Sequence, residues 1–290
     1  MSTRRVTQLP APPARPADGH KGTFGRTLIV AGSRGMTGAA GLCGRAALRG
    51  GAGLVYVATP EDCLDVVASY EPSYLTIPLP LSSTGDGFRL AADSLRERLE
   101  TFSAVAIGPG CGQSAAIADV VVTFYAEARP PVVVDADALN ILATRQDRLS
   151  THGGPRVLTP HVGEFARLTG ESMEAIAARR EELAVDFAGR HGVVLVLKGP
   201  GSIVTDGQRL YVNTTGNSGM GTGGTGDVLT GLLAALLAQG MPAFEAAQLS
   251  VWMHGRAGDL AAQEHSQPGM IASDLPEHLC DVWKELRGGG

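Results

Sequence analysis

The sequence predicts an α/β protein of three layers, in which helices cover both faces of a mainly parallel central sheet. Short apolar runs of strand length alternate with segments whose apolar residues recur every three or four positions. The runs lack polar alternate positions, which is typical of strands buried on both faces. The 290 residues, 44% of them hydrophobic, are enough to form a large core.

Six apolar runs predict the strands of the parallel sheet: residues 27–31, 54–58, 104–107, 132–135, 156–159 and 193–198. Helical spacing predicts helices between them: residues 38–50, 91–100, 115–128 and 172–191. The Asp206-Gly207 turn then predicts a hairpin of residues 202–205 and 210–213. The rest is predicted to be helical: residues 225–238, 243–263 and 275–286.

Residues 1–19 are predicted to be an N-terminal arm, because residues 7–19 are rich in proline and alanine. Such a composition favours either an extended segment on the surface or poor order. Residues 20–290 show no composition typical of a linker, so we expect them to form a single domain.

Composition and charge exclude several functional classes. The net charge is −5 without a basic run, which disfavours binding to nucleic acid or to an anionic membrane. The four cysteines are widely spaced, so neither a zinc knuckle nor a disulfide framework is predicted. The proline-rich start does not resemble a secretion signal, and the longest apolar stretch, residues 228–238, is too short to cross a bilayer. We therefore expect a cytoplasmic protein with small-molecule ligands.

A glycine-rich segment leads into an apolar helix and ends at Asp227. Glycines allow main-chain N–H groups to converge on an anion, and the positive end of a helix dipole stabilises the same anion. The predicted anion hole consists of the amides of Gly221, Gly223, Gly224, Thr225 and Gly226. Asp227 is either an ordinary residue of the first helical turn or a base for a substrate hydroxyl. The alternative is a flexible loop with a charged helix start.

Other loops follow the predicted strands, at the sheet edge where open α/β folds bind ligands. One loop, Lys198-Gly199-Pro200-Gly201-Ser202, predicts either a nucleotide pocket or a plain turn with a solvated lysine. His161 and Glu164 resemble half of a metal site. We prefer His161 as a hydrogen-bond donor to a ligand, with Glu164 capping a helix.

Three further loops are predicted at the same edge of the sheet. Asp135 ends the strand of residues 132–135 and Asp137 follows it. These two carboxylates predict either water held around Mg²⁺ between phosphates or caps for the next helix. Small residues around Ala39 and Gly110 allow a bulky ligand to approach the backbone. Each loop alone predicts little, but together they predict one ligand site.

These motifs resemble the ribokinase-like superfamily and, within it, the ADP-dependent NAD(P)H-hydrate dehydratases. The resemblance covers nearly the whole chain from His20 onward, and the most specific match is Gly216-Asn217-Ser218-Gly219-Met220-Gly221-Thr222-Gly223-Gly224 before Gly226-Asp227. Two residues depart from the family pattern: Met36 replaces a common aromatic residue, and Cys111 replaces the usual leucine.

The resemblance implies that the (S)-hydrate of NADH or NADPH is dehydrated with ADP, giving AMP and phosphate. It implies Asp227 as the catalytic carboxylate, with Ala39, Gly110 and His161 also lining the hydrate site. It places the nucleotide at Lys198, Gly199, Pro200, Gly201, Ser202 and Gly226. Mg²⁺ is expected to neutralise phosphate charge without direct protein ligands.

The resemblance also implies a homotetramer and a stand-alone dehydratase whose functional partner is a separate epimerase. It favours ADP over ATP, a choice that the anion hole itself leaves open. Two alternatives remain: a kinase of the same superfamily acting on a vitamin precursor, and a nucleotide-binding regulator without catalytic activity.

Overall fold

A computed structural model describes residues 3–79, 93 and 95–288. Within these residues ten strands form a single sheet. They are β1 (Arg4–Arg5), β2 (Arg26–Val30), β3 (Leu54–Pro60), β4 (Leu75–Leu79), β5 (Ala104–Ile107), β6 (Val132–Val134), β7 (Arg156–Leu158), β8 (Val194–Leu197), β9 (Ile203–Thr205) and β10 (Arg209–Val212).

The strand order is β1-β10-β9-β8-β7-β6-β5-β2-β3-β4. Neighbouring strands are parallel except at β9, which runs antiparallel to both β8 and β10. Because β2, β3, β5, β6, β7 and β8 are parallel, their carboxyl ends meet at one edge of the sheet. The predicted parallel strands and the hairpin are confirmed, with boundaries shifted by two residues at most.

The helices lie between and after these strands. They are α1 (Thr37–Arg49), α2 (Leu64–Tyr70), α3 (Ala115–Glu127), α4 (Ala136–Ala143), α5 (Val162–Thr169), α6 (Met173–Ala178), α7 (Arg180–His191), α8 (Thr225–Ala238), α9 (Ala243–His265) and α10 (Leu275–Leu286). None of the described helices has the length and hydrophobicity that a bilayer crossing requires.

Side chains of alternate strand positions enter two separate cores, one on each face of the sheet. Leu28 and Val30 join the core that contains α3, α4, α5 and α7, whereas Ile29 joins the core that contains α1, α8, α9 and α10. Helix α8 is buried from Val228 to Ala238, because the sheet lies on one side and other helices on the other. The predicted three-layer α/β architecture is confirmed.

The structure differs from the predicted elements in three places. The helix predicted over residues 172–191 is two helices, since the backbone at Arg179 leaves the helical region (φ −128°, ψ 38°). Strand β4 was not predicted, because Pro78 disfavours a strand and only Leu79 of its five residues is buried. For the helix predicted over residues 91–100, residues 91, 92 and 94 lie outside the described residues, whereas residues 95–98 are helical.

The first residues of the predicted N-terminal arm lie against the sheet. Arg4 and Arg5 form β1, which pairs with β10 at the edge of the sheet. Val6 and Leu9 pack against the core that contains α9. Residues 4–9 are therefore attached to the edge of the sheet and to the core beneath it.

Candidate functional site

Three charged side chains meet where the ends of β6 and β8 face the start of α8. Asp135 follows β6, Lys198 follows β8, and Asp227 lies in the first turn of α8. The Lys198 ammonium donates to Asp135 Oδ1 at 2.7 Å, and the Thr230 hydroxyl donates to Asp135 Oδ2 at 2.8 Å. Asp135 is only 1% exposed, so this pair is a buried ion pair in which both carboxylate oxygens have donors.

The pKa of Asp227 is raised to about 7, first because the carboxyl is buried and second because the Asp135 carboxylate is near. The Lys198 ammonium opposes this shift. Burial lowers the pKa of Lys198, but the carboxylates of Asp135 and Glu164 outweigh burial and raise it overall. Lys198 is therefore charged near neutral pH, and Asp227 exchanges its proton there, which suits a general base.

The glycine-rich loop before α8 is held from behind by α9. The Gly216 N–H donates to Asp259 Oδ2 at 3.0 Å, and Gly216 has a φ of +100°, which favours glycine. The Asn217 amide donates to Asp259 Oδ1 and to the Gly258 carbonyl, and its oxygen accepts from the Gly219 N–H. These bonds fix the loop on α9 and direct the chain toward Asp227.

Backbone N–H groups at the start of α8 are available to an anion. Gly224 has a φ of +96°, and the Thr225 hydroxyl donates to the carbonyls of Met220 and Thr222. Within the described part of the chain, the N–H groups of Gly223, Gly224, Thr225 and Gly226 have no acceptor. Gly221 was also predicted to contribute to the anion hole, but its N–H donates to the Ser218 carbonyl at 3.1 Å.

Gly226 lies against the buried ion pair. A Cβ atom at this position would be 3.4 Å from Lys198 Nζ and 3.8 Å from Asp135 Oδ2. The free amides at the start of α8 and the Lys198 ammonium are thus neighbours. Together they form a positive region beside the Asp227 carboxyl.

Arg180, at the start of α7, holds the loop Lys198–Ser202. Its guanidinium donates to the carbonyls of Pro200 (2.7 Å), Leu197 (3.1 Å) and Lys198 (3.2 Å). At Gly199 the φ is +143°, and a Cβ atom would lie 2.9 Å from Arg180 Nη2. Ser202 closes the loop by donating to the Gly199 carbonyl at 3.0 Å.

His161 and Glu164 form a capping box at the start of α5. His161 Nδ1 accepts from the N–H groups of Gly163 and Glu164, and Glu164 Oε2 accepts from the His161 N–H at 2.8 Å. The predicted capping by Glu164 is confirmed. Glu164 Oε2 also lies 3.7 Å from Lys198 Nζ. His161 Nε2 lies 3.4 Å from Glu164 Oε1, and the His161 side chain is 56% exposed at the edge of the site.

Ala39 and Gly110 lie against each other. A Cβ atom at Gly110 would lie 2.9 Å from Ala39 Cβ and 3.0 Å from Met36 Cβ, which leaves room only for glycine. The loop around Gly110 is held by Asp137, which accepts from the Gly112 N–H at 2.9 Å and from the Gln113 amide at 3.1 Å. Asp137 therefore fixes this loop, and neither it nor Asp135 caps α4 through its side chain.

Two residues of the site gave little or no signal in the sequence. His254 on α9 donates from Nε2 to the Thr225 carbonyl at 2.8 Å, and burial lowers its pKa to about 4, so it is neutral. Its position depends on the packing of α9 against α8, which no local pattern encodes. Thr230 lies three residues after Asp227 on α8, and this spacing could have predicted that both face the site.

Ala136 has a φ of +49°, a conformation that costs a non-glycine residue energy. It directly follows Asp135, so the strain lies beside the buried carboxylate. Strain of this kind persists where surrounding contacts hold the backbone in place. Here the Asp135 N–H donates to the Ile107 carbonyl and the Ala138 N–H donates to the Asp135 carbonyl, each at 3.1 Å.

Comparison with known proteins gives a consistent result. The family model described as NAD(P)H-hydrate dehydratase matches residues 27–280. A protein from Moorella thermoacetica named bifunctional NAD(P)H-hydrate repair enzyme Nnr is 45% identical over 94% of this chain and 52% of its own length. The chain thus spans about half the length of such bifunctional relatives. The ADP-dependent (S)-NAD(P)H-hydrate dehydratase of Bacillus subtilis is 36% identical over 94% of both chains.

Solved structures agree with the sequence comparison. A crystal structure of the ADP/ATP-dependent NAD(P)H-hydrate dehydratase from B. subtilis, co-crystallised with ATP and Mg²⁺, is similar with a TM-score of 0.83 and 34% identity over 95% of both chains. A ribokinase-like superfamily protein from Enterococcus faecalis has a TM-score of 0.82 at 24% identity, over 98% of this chain and 96% of its own. The predicted ribokinase-like fold is confirmed.

Proposed function

Because the chain belongs to the NAD(P)H-hydrate dehydratase family, we propose that it is a hydro-lyase that converts the (S)-hydrates of NADH and NADPH to the intact dinucleotides. ADP is the co-substrate, and AMP and phosphate are the other products. The observation that carries the proposal is the position of Asp227, a carboxyl with a pKa of about 7 beside free amides and the Lys198 ammonium.

The chemistry begins with transfer of the terminal phosphoryl group of ADP. The hydrate hydroxyl attacks the terminal phosphorus, the bond from phosphorus to AMP breaks, and Asp227 takes the hydroxyl proton. The amides of Gly223, Gly224, Thr225 and Gly226 stabilise the charge on the phosphoryl oxygens. The carbon–oxygen bond then breaks, phosphate leaves with the bonding electron pair, and the ring nitrogen lone pair stabilises the carbon that has lost it. Transfer of a proton from the adjacent carbon to water leaves its electron pair to form the double bond of the dihydronicotinamide.

We assign the two substrates to opposite sides of Asp227. The nucleotide contacts Lys198, Gly199, Pro200, Gly201 and Ser202, together with Gly226. The bonds from Arg180 support this assignment because they fix the loop, and a Cβ atom at Gly226 would lie 3.4 Å from Lys198 Nζ. The hydrate contacts Ala39, Gly110 and His161. The close approach of Gly110 to Ala39 supports a small-residue surface on which a flat ring fits.

Mg²⁺ fits this site as an ion held by phosphates and water. Both oxygens of Asp135 accept from Lys198 and Thr230, and both oxygens of Asp137 hold the Gly112 loop, so these carboxylates are already engaged. When bound, the ion would neutralise part of the phosphate charge of ADP, and the free amides and the Lys198 ammonium would stabilise the rest. The bonds of Asp135 and Asp137 therefore support an ion that binds to the protein through phosphates and water.

The decisive experiment follows recovery of the reduced nicotinamide. We expect NADPH hydrate, ADP and Mg²⁺ to restore dihydronicotinamide absorbance only when the protein is present. Asp227→Asn should reduce turnover by about 10²-fold or more while changing ADP affinity far less, because the carboxylate acts in proton transfer. Equal losses of turnover and affinity would contradict the role of Asp227 as base.

The same experiment separates the alternatives. A superfamily kinase is an alternative because phosphoryl transfer at Asp227 is common to both activities. Such a kinase would phosphorylate a hydroxymethyl compound and leave the hydrate unchanged. A regulator without catalysis would bind nucleotide and give no recovery with ADP or ATP. Activity with each nucleotide also decides between ADP and ATP. One B. subtilis relative is named ADP-dependent, whereas the B. subtilis crystal structure is described as that of an ADP/ATP-dependent enzyme.

Four further parts of the proposal concern domain organisation, assembly, location and partner. We propose a cytoplasmic homotetramer in which residues 20–290 form one dehydratase domain, working with an epimerase that interconverts the hydrate epimers. The single sheet supports one domain. Light scattering during size-exclusion chromatography measures the assembly, and a mass close to 29.9 kDa would contradict the tetramer.

A further inference from the structure

A cluster of two histidines and one carboxylate lies where α9 ends against α10. It consists of Glu264, His265 and His278, whose potential ligand atoms all lie within 4.8 Å of one another. Glu264 Oε2 is 3.5 Å from His278 Nε2, and Glu264 Oε1 is 3.7 Å from His265 Nε2. Two ligand atoms of a tetrahedral zinc ion, each about 2.1 Å from the metal, lie about 3.4 Å apart. The cluster thus needs only small side-chain adjustments to hold a metal.

We propose that Glu264, His265 and His278 form a binding site for a divalent transition metal such as Zn²⁺, separate from the nucleotide site. Two imidazoles and one carboxylate favour zinc and its neighbours over Mg²⁺, which prefers oxygen ligands. Water completes the coordination, because Glu264 and His265 are exposed.

The surroundings of His278 support metal binding. Its side chain is only 12% exposed, and Asp281 Oδ2 lies 3.7 Å from His278 Nδ1, on the opposite side of the ring from Nε2. A carboxylate behind the non-ligating nitrogen is the usual arrangement at histidine ligands, because it orients the ring and increases its basicity.

The site joins two helices next to the segment that supports the glycine-rich loop. After His265 the chain turns at Ser266, which has a φ of +64°. Gln267 then accepts from the Ser218 hydroxyl at 2.8 Å, and its carbonyl would lie 2.5 Å from a Cβ atom at Gly219. A metal at the end of α9 therefore stabilises the segment against which Ser218 and Gly219 pack.

The test uses untagged full-length protein freed of metal with a chelator. Titration with Zn²⁺ against a chromophoric chelator should give about one tight site, and bound Zn²⁺ should raise the Tm. His278→Gln and Glu264→Gln should each weaken binding by more than about tenfold, and Asp281→Asn by about tenfold. His20→Gln, which changes an exposed histidine outside the cluster, should bind Zn²⁺ as the unchanged protein does.

Two results would overturn the proposal. One is a titration without a saturable site, and the other is a saturable site whose affinity is unchanged in both His278→Gln and Glu264→Gln. Melting curves without metal show whether each variant folds. Because Zn²⁺ affinity and Tm are the readouts, the result does not depend on the proposed dehydratase activity.

Discussion

At the scale of single residues, the raised pKa of Asp227 predicts a pH dependence. A base must be deprotonated, so log(kcat/KM) should rise with a slope of about one per pH unit below pH 7 and level off above it. Asp135→Asn should move this limb to lower pH, because the Asp135 carboxylate helps to raise the pKa of Asp227. Initial rates across pH test both expectations, and an unchanged limb in Asp135→Asn would show that the limb does not report Asp227.

The raised pKa of Asp227 also predicts that ionisation of this carboxyl destabilises the folded protein. The folded pKa of Asp227 lies above its unfolded value, so its contribution to stability is lost as the pH rises from about 4 to about 7. Each tenfold difference between the acid constants of the folded and unfolded states changes the free energy of unfolding by about 1.4 kcal/mol. Asp227→Asn should therefore raise the Tm at pH 8, and by less at pH 5. Thermal melting at both pH values measures the difference, and an equal gain would indicate a cause other than ionisation.

At the scale of secondary-structure elements, Arg180 on α7 controls the loop after β8. Arg180→Lys keeps the charge but loses the planar fork that reaches three carbonyls. If this loop binds the nucleotide, KM for ADP should rise by about tenfold, the equivalent of one or two hydrogen bonds, with kcat changed by less than about threefold. Arg179→Lys is the matched control, because Arg179 is an exposed neighbour paired with Glu182.

Steady-state kinetics with varied ADP distinguish the outcomes. Equal effects of Arg180→Lys and Arg179→Lys, or a fall in kcat with unchanged KM, would contradict the positioning role of Arg180. A melting curve for each variant accounts for any loss of folded protein.

These elements show which features a sequence can predict. The apolar runs and the glycine-rich start of α8 were predictable, because strands, helices and the residues around Asp227 are encoded by neighbouring positions. The bonds of Arg180 and His254 were not, since each joins segments separated by about 20 residues or more. The break at Arg179 lacks glycine or proline, so helical spacing continued through it. Asp137 was predicted either to cap a helix or to hold water around Mg²⁺, but tertiary packing directs its carboxylate to the Gly112 N–H.

At the scale of the whole molecule, the order of the strands depends on pairing that the local pattern does not contain. The alternation of strands and helices predicted the parallel sheet and its ligand edge, and the Asp206-Gly207 turn predicted the antiparallel hairpin. The pairing of β1 with β10 was not predicted, because two arginines before a proline-rich stretch carry no strand pattern. It completes the sheet beyond the hairpin.

Removal of residues 1–10 should therefore destabilise the protein. The deletion removes the pairing of Arg4 and Arg5 with β10, the packing of Val6 and Leu9, and the bond that the Gln248 amide donates to the Gln8 carbonyl. We expect the Tm to fall by about 2–4 °C for each kcal/mol lost, and aggregation to increase, because β10 becomes an exposed edge.

The double variant Arg4→Ala, Arg5→Ala is the control for this deletion. It keeps the main-chain pairing and loses only exposed charges, such as the ion pair of Arg5 with Glu181, so its Tm should stay within about 1–2 °C of the original. Differential scanning calorimetry and light scattering measure both effects. An equal Tm for the deletion and the full chain would show that the arm contributes nothing to stability, whereas a large loss in the double variant would assign the effect to charge.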